Sequence, residues 1–242
     1  MAIGVLAPHQ ARAAAEQNRF AIVISGIPSS IDGGDFNNTI DFINQTALGP
    51  AGLEPLERIT FGWQFDLEAR YFLRPNIALN AGVGQLRSIT HREYLPALSQ
   101  AVDLRGEVLT VPIHIGGAYY FVPYTQGDFQ ARAFVGASYL SLVYNKALFD
   151  QSTSGFAPGD PSAPPTFRLK GTQDSPGYRL EFGVHMFFAS RYSVLISGLY
   201  RSAVIRGVDD VLTGQPFQTT GGEPFSLDMS GLGARFGLAI GL

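Results

Sequence analysis

Residues 231–242, GLGARFGLAIGL, alternate with a period of two. Leu232, Ala234, Phe236, Leu238, Ile240 and Leu242 fall on one face, and Gly231, Gly233, Arg235, Gly237, Ala239 and Gly241 on the other. An extended strand sorts residues this way, because successive side chains leave it on opposite sides. A strand of a soluble sheet buries its apolar face and hydrates the other. Here the second face is mostly glycine with a single arginine, which suits a crowded enclosed space better than a solvated surface. The pattern predicts a strand with its oily face in lipid and its small-residue face in a lumen.

The same alternation recurs along the chain. Phe61, Trp63, Phe65, Leu67, Ala69 and Tyr71 oppose Gly62, Gln64, Asp66, Glu68 and Arg70. Similar runs cover residues 19–27, 77–91, 105–121, 129–145, 178–189 and 192–206, and 227–242 closes a set of eight. The connections between them run long, tight, medium, short, long, tight, long. No apolar run reaches the ~18 residues of a spanning helix, so a membrane crossing must use strands. Together these features predict an all-β fold: an eight-stranded antiparallel up-and-down transmembrane β-barrel with short periplasmic turns and longer extracellular loops. Both termini then lie on the periplasmic side. Tyr71, Tyr119, Tyr120, Phe121, Phe129, Phe188 and Tyr192 flank the short turns, where an interfacial aromatic girdle would sit.

Composition agrees. Charged residues make up 15% of the chain, against ~25% in soluble domains. The formal net charge of -3 disfavours a nucleic-acid partner. Cysteine is absent, which removes disulfides and thiolate metal sites. The only lysines, Lys146 and Lys170, fall in a predicted loop over residues 146–177. Residues 2–7 are apolar and 11–15 offer small-residue cleavage sites, so 1–15 reads as a signal-peptide remnant and 16–242 as one barrel domain.

This architecture resembles the small eight-stranded outer-membrane barrels, the OmpA/OmpX/OmpW-like group. One local signature accompanies it. Arg235, Gly237, Ile240 and Leu242 resemble that group's C-terminal insertion signal, with Leu242 where phenylalanine is usual. The resemblance implies the outer membrane of a Gram-negative-type cell. It also implies lipid and lipopolysaccharide as surroundings, the barrel-assembly machinery as a partner during insertion, and other envelope proteins as partners of the long loops.

The polar strand faces carry Asp66, Glu68, Arg70, His114, Arg132, Arg179, Glu181, His185 and Arg235. Charges inside a barrel must be paired or wet. An eight-stranded barrel is only wide enough for its own side chains, so the expectation is a plugged lumen held by an ionic network. No catalytic, cofactor or metal site is read. His114 and His185 have no further ligand at metal spacing in the sequence. Residues 32–38 are rich in oxygen ligands but lack the spacing of a calcium loop, and read as a solvated turn. His91 with Ser88 and Glu93 comes nearest to a nucleophilic grouping. The function expected is a structural or interaction protein acting through loops 28–59, 146–177 and 207–226, with a short helix at 40–48. Phe149, Phe156 and Phe167 would be exposed if the second loop is free. An OmpW-like small-solute transport barrel is the alternative, and a lipid-modifying enzyme the third reading.

Overall fold

The alternating segments pair into one closed sheet. A computed structural model describes residues 19–97, 100–154, 167–171, 175–188, 191–210, 213–219 and 221–242, and the segment 1–15 lies outside them. Eight strands form the wall: β1 (Phe20–Ser30), β2 (Phe61–Arg74), β3 (Ile77–Ala97), β4 (Gln100–Tyr120), β6 (Phe129–Ser154), β8 (Ser175–Phe187), β9 (Tyr192–Arg206) and β12 (Gly231–Gly241). Each pairs antiparallel with the next, and β12 returns to β1 with Ile22 opposite Ile240. No wall strand is left with an open edge, the condition for a sheet to cross lipid.

The faces sort by chemistry. Phe61, Phe182 and Phe236 are 52%, 67% and 55% exposed on the outside, whereas Glu68 and Glu181 are 0% and 5% exposed within. A soluble barrel with an apolar interior would show the reverse. Outward residues from Tyr71 to Phe61 span ten positions of β2. At about 3.3 Å per residue and a tilt of about 40°, that is an apolar band about 25 Å tall. Tyr71, Tyr119, Phe121, Phe188 and Tyr192 are exposed beside the short turns, and Phe129 packs on Phe188 at 5.7 Å. Tyr120 departs from the expected girdle. It is 1% exposed and points inward, because it shares the parity of His114 and Ala118.

Several strands outrun their sequence signal. β3 runs on to Ala97 and β4 begins at Gln100, so most of the expected medium loop over 92–104 is a hairpin arm. β6 runs to Ser154, nine residues past its expected end. A bulge allows this: Val111 pairs with Tyr144 and Pro112 with Leu142, leaving Val143 extra. Proline has no N–H to give the ladder, and a bulge is where a sheet accommodates one. Beyond the bulge the parity flips, and Asn145, Ala147 and Phe149 face inward. Phe149 is therefore core rather than exposed; residue 156 lies outside the described residues, as does the side chain of residue 167. Lys146 is in β6 and sits opposite Lys170 of β7 (Phe167–Gly171), so neither lysine is in a loop. Short strands β5 (Tyr124–Gln126), β10 (Val208–Asp210) and β11 (Ser226–Asp228) complete the sheet. β11 and β12 are separate elements, where the sequence read one continuous closing strand from 227.

The first long connection folds into the mouth of the barrel. α1 (Asp35–Ile43) starts five residues before the expected helix and runs into a π-turn, Asn44–Leu48. The expected solvated turn at 32–38 is its entry, and Phe36 and Asn37 are buried. Gly33 and Gly34 adopt φ of 84° and 56° there, a backbone region glycine enters without the steric cost other residues meet. Asp35 accepts from the N–H and hydroxyl of Ser226, both at 2.8 Å. Asn37 exchanges two hydrogen bonds with the backbone of Ile59, and Asn44 two with Leu56. Phe36, Ile40, Leu48, Leu56 and Ile59 join Leu86, Val108, Leu142, Phe149 and Leu227 in one apolar core. Chain from the first long connection thus packs into the upper interior.

Two measurements test this placement. Trp63, the single tryptophan, should be quenched more by lipids brominated near the headgroup than near the chain ends. Phe65→Lys, at the middle of the apolar band, should destabilise the bilayer-embedded barrel by about 2–4 kcal/mol in urea titrations.

Candidate functional site

Below the apolar plug lies a layer of charge. Asp66, Glu68 and Arg70 occupy alternate positions of β2, so all three side chains enter the lumen. Glu68 is the hub. Its Oε1 accepts from Arg70 Nε at 2.9 Å; its Oε2 accepts from Arg179 Nη2 at 2.9 Å and Arg235 Nη1 at 3.0 Å. Asp66 lies 3.2 Å from His114 Nε2, 3.5 Å from Arg179 Nη1 and 3.3 Å from Arg235 Nη2. Glu181 accepts from Ser197 Oγ at 2.6 Å and lies 3.3 Å from Arg235 and 3.4 Å from Arg179. Three carboxylates therefore meet three guanidiniums, with His114 at the rim.

The other two sequence-read lumen residues lie beneath. His185 Nε2 is 2.8 Å from Ser193 Oγ and its Nδ1 is 3.1 Å from the Tyr120 hydroxyl, which also receives Arg70 Nη1. Arg132 stacks its guanidinium over the Tyr120 ring at 5.5 Å. Tyr120, Phe134, Phe187 and Leu195, with Phe72 against them, make an aromatic floor. Plug, ionic layer and floor follow one another down the lumen.

Sequence reasoning missed Tyr120 and Arg201 as lumen groups. Arg201 is 2% exposed and donates to Met229 O at 2.7 Å and Gln64 Oε1 at 2.8 Å. The signal was weak because Leu195 and Leu199 share its inward face, so β9 is apolar on both sides. The fold also corrects the reading that no carboxylate stands near His114. Ligand atoms of Asp66, Glu68 and His114 lie within 4.8 Å of one another. Arg179 and Arg235 fill the surroundings of that triad, which favours ion pairing over a metal cation. The Ser88–His91 grouping does not form. Ser88 points inward and bonds Phe61 O, while His91 points outward to Asp103 at 2.9 Å. The His185–Ser193 pair is buried beside Phe187, whose ring centroid is 4.1 Å from that of the imidazole.

A second charged group lies outside, at the upper edge of the apolar band. Glu107 accepts from Arg87 Nε at 2.9 Å and Arg105 Nη2 at 2.8 Å, with Lys146 nearby on β6. Burial pushes the Glu107 carboxyl up, but the Arg87 hydrogen bond and the charges of Arg87, Arg105 and Lys146 outweigh it and hold it below the usual range.

No protein-family model and no curated protein matches this chain. Solved structures similar to it include the outer membrane protein OprG from Pseudomonas aeruginosa, at 12% identity and a TM-score of 0.47, covering 93% of this chain and 97% of that one. Ail, the attachment invasion locus protein of Yersinia pestis, is similar at 12% identity and a TM-score of 0.34, over 93% and 97%. The outer membrane protease OmpT from Escherichia coli is similar at 8% identity and a TM-score of 0.30, over 94% and 97%. At such identities the likeness concerns the fold alone.

Breaking a buried ion pair from one side leaves an unmatched charge and costs about 3–5 kcal/mol. Glu68→Gln should destabilise by that order in urea unfolding of the detergent-solubilised barrel. For Glu107 the folded-state carboxyl titrates lower than the unfolded one. Its contribution is full above the unfolded value of about 4.3 and is lost as pH falls through the folded value. The stability difference between wild type and Glu107→Gln should be flat above about pH 5 and shrink below about pH 4.

Proposed function

We propose that this chain is an integral outer-membrane barrel with a closed lumen that serves the cell envelope as a structural or interaction protein through its extracellular end. The observation that carries the reading is the three-fold closure of the interior. Apolar plug, balanced ionic layer and aromatic floor leave the outer surface and the upper rim as the faces offered to partners. In this reading both termini and the short turns are periplasmic, and the extended β3–β4 and β6 arms stand above the membrane. Residues 235–242, with Arg235, Gly237, Ile240 and Leu242, act as the insertion signal read by the assembly machinery. The chain has no catalytic role in this proposal.

Lipopolysaccharide is the partner that the rim favours. Arg87, Arg105 and Lys146 surround Glu107, with Asp150 across the ladder from Arg105, leaving one positive charge in excess at the upper edge of the lipid-facing band. Trp63 stands directly opposite Arg87 in the β2–β3 ladder. An amphiphile with phosphates above acyl chains matches that order of cation over apolar surface. One observation favours small-solute transport as the second reading: the upper interior is apolar once α1 is set aside, and α1 is held at its polar side by the few bonds from Asp35, Asn37 and Asn44.

Planar-bilayer recording separates the two. A structural barrel gives no conductance steps and no solute flux, whereas steps from the intact protein would overturn the proposal. The combined variant Arg87→Gln, Arg105→Gln, Lys146→Gln should fold normally but retain about tenfold less lipopolysaccharide through detergent exchange.

A further inference from the structure

The charge of the interior does not close on itself. In the central layer Asp66, Glu68 and Glu181 are matched one for one by Arg70, Arg179 and Arg235, all joined by ion pairs of 3.5 Å or less. Two further guanidiniums are buried in the lumen: Arg132, over the Tyr120 ring in the floor, and Arg201, at the top of the ionic layer. Arg201 has no charged partner among the described residues. It is 2% exposed, and no carboxylate among the described residues lies within ion-pair distance of it. Its two satisfied donors meet neutral oxygens, Met229 O and Gln64 Oε1, while its Nη2 has no partner. Across the β8–β9 ladder Arg201 stands directly opposite Arg179, whose Nε is likewise without a partner. Two guanidiniums facing each other in register repel, and an isolated buried charge costs several kcal/mol unless a counter-charge meets it. Neutral carbonyls and water can satisfy the donors but cannot supply that charge.

We propose that the barrel interior binds one small monovalent anion of the halide class between Arg201 and Arg179, where the ionic layer meets the apolar plug. The stoichiometry follows from the one guanidinium, Arg201, whose donors meet only neutral oxygens. The size follows from the surroundings, since the apolar core around Met229 lies directly above and the paired carboxylates directly below. A monatomic ion needs only the two open N–H groups and the electrostatic field of the guanidiniums. The site is independent of what the rim binds.

The test uses the full-length barrel refolded in detergent. Urea unfolding is followed by mobility shift in chloride, in bromide and in gluconate at matched ionic strength. One bound halide predicts that each tenfold rise in halide above its dissociation constant lowers the unfolding constant about tenfold, with gluconate without effect. Arg201→Met should remove the halide dependence while still folding, because it removes the unmatched charge together with the need for a counter-ion. Crystals soaked in bromide should show an anomalous peak within hydrogen-bond distance of Arg201 Nη2, a readout that stands even where the variant fails to fold. Equal midpoints in halide and gluconate for the wild type, or a water with no anomalous signal at that position, would overturn the proposal.

Discussion

A charge cannot sit in hydrocarbon without a partner, and this barrel is arranged around that rule. Its wall is closed because lipid offers nothing to an open backbone edge. Its outside is apolar because only the lumen can hold Glu68, Arg179 and Arg235 at a tolerable cost. The ionic layer then holds distant parts of the wall together. Glu68 on β2 reaches Arg179 on β8 and Arg235 on β12, so one side chain ties three strands that are far apart in sequence. Such a layer stabilises only as a complete set. Any single loss strands its partners in a place where water cannot take over.

The three levels of the lumen divide the labour. The aromatic floor shields the charges from one end and shares Tyr120 with Arg70 and His185. The plug does the same from the other end using chain from the first long connection. Seated in the mouth, α1 turns what would be a vestibule into a small hydrophobic core, held in place by paired Asn–backbone bonds that fix where the segment returns to the wall. The combination resembles a soluble domain at the top joined to a membrane barrel below, with one continuous sheet serving both.

Much of this was legible in the sequence, for a physical reason. Where lipid meets one face and a packed lumen the other, period-two alternation is sharp, and the wall segments around Phe65, Ile113 and Phe182 could be placed from it. The inward set on β2 and β8 followed from the same parity. The signal fails above the membrane. There both faces of β6 and β4 meet protein or water, contrast between them is lost, and residues 146–154 read as loop though they pair as strand. It also fails within the lumen wherever pairing depends on register. Nothing in the spacing of Asp66 and His114 says that they meet, and Arg201 hides on a strand that is apolar on both sides. α1 was seen only in part because its buried Phe36 and Ile40 join a core drawn from distant strands.

Val143 gives the outer half of the molecule its meaning. By letting two neighbouring residues share the outer surface, it shifts the phase of everything beyond it on β6. Were Val143 instead paired in regular alternation, the lower wall would be untouched, but above it Ala147 and Phe149 would be thrown outward and Lys146 turned into the oily plug. The upper and lower halves of this protein thus carry inverted alphabets on the same strand, and a single bulge keeps each one facing the right medium.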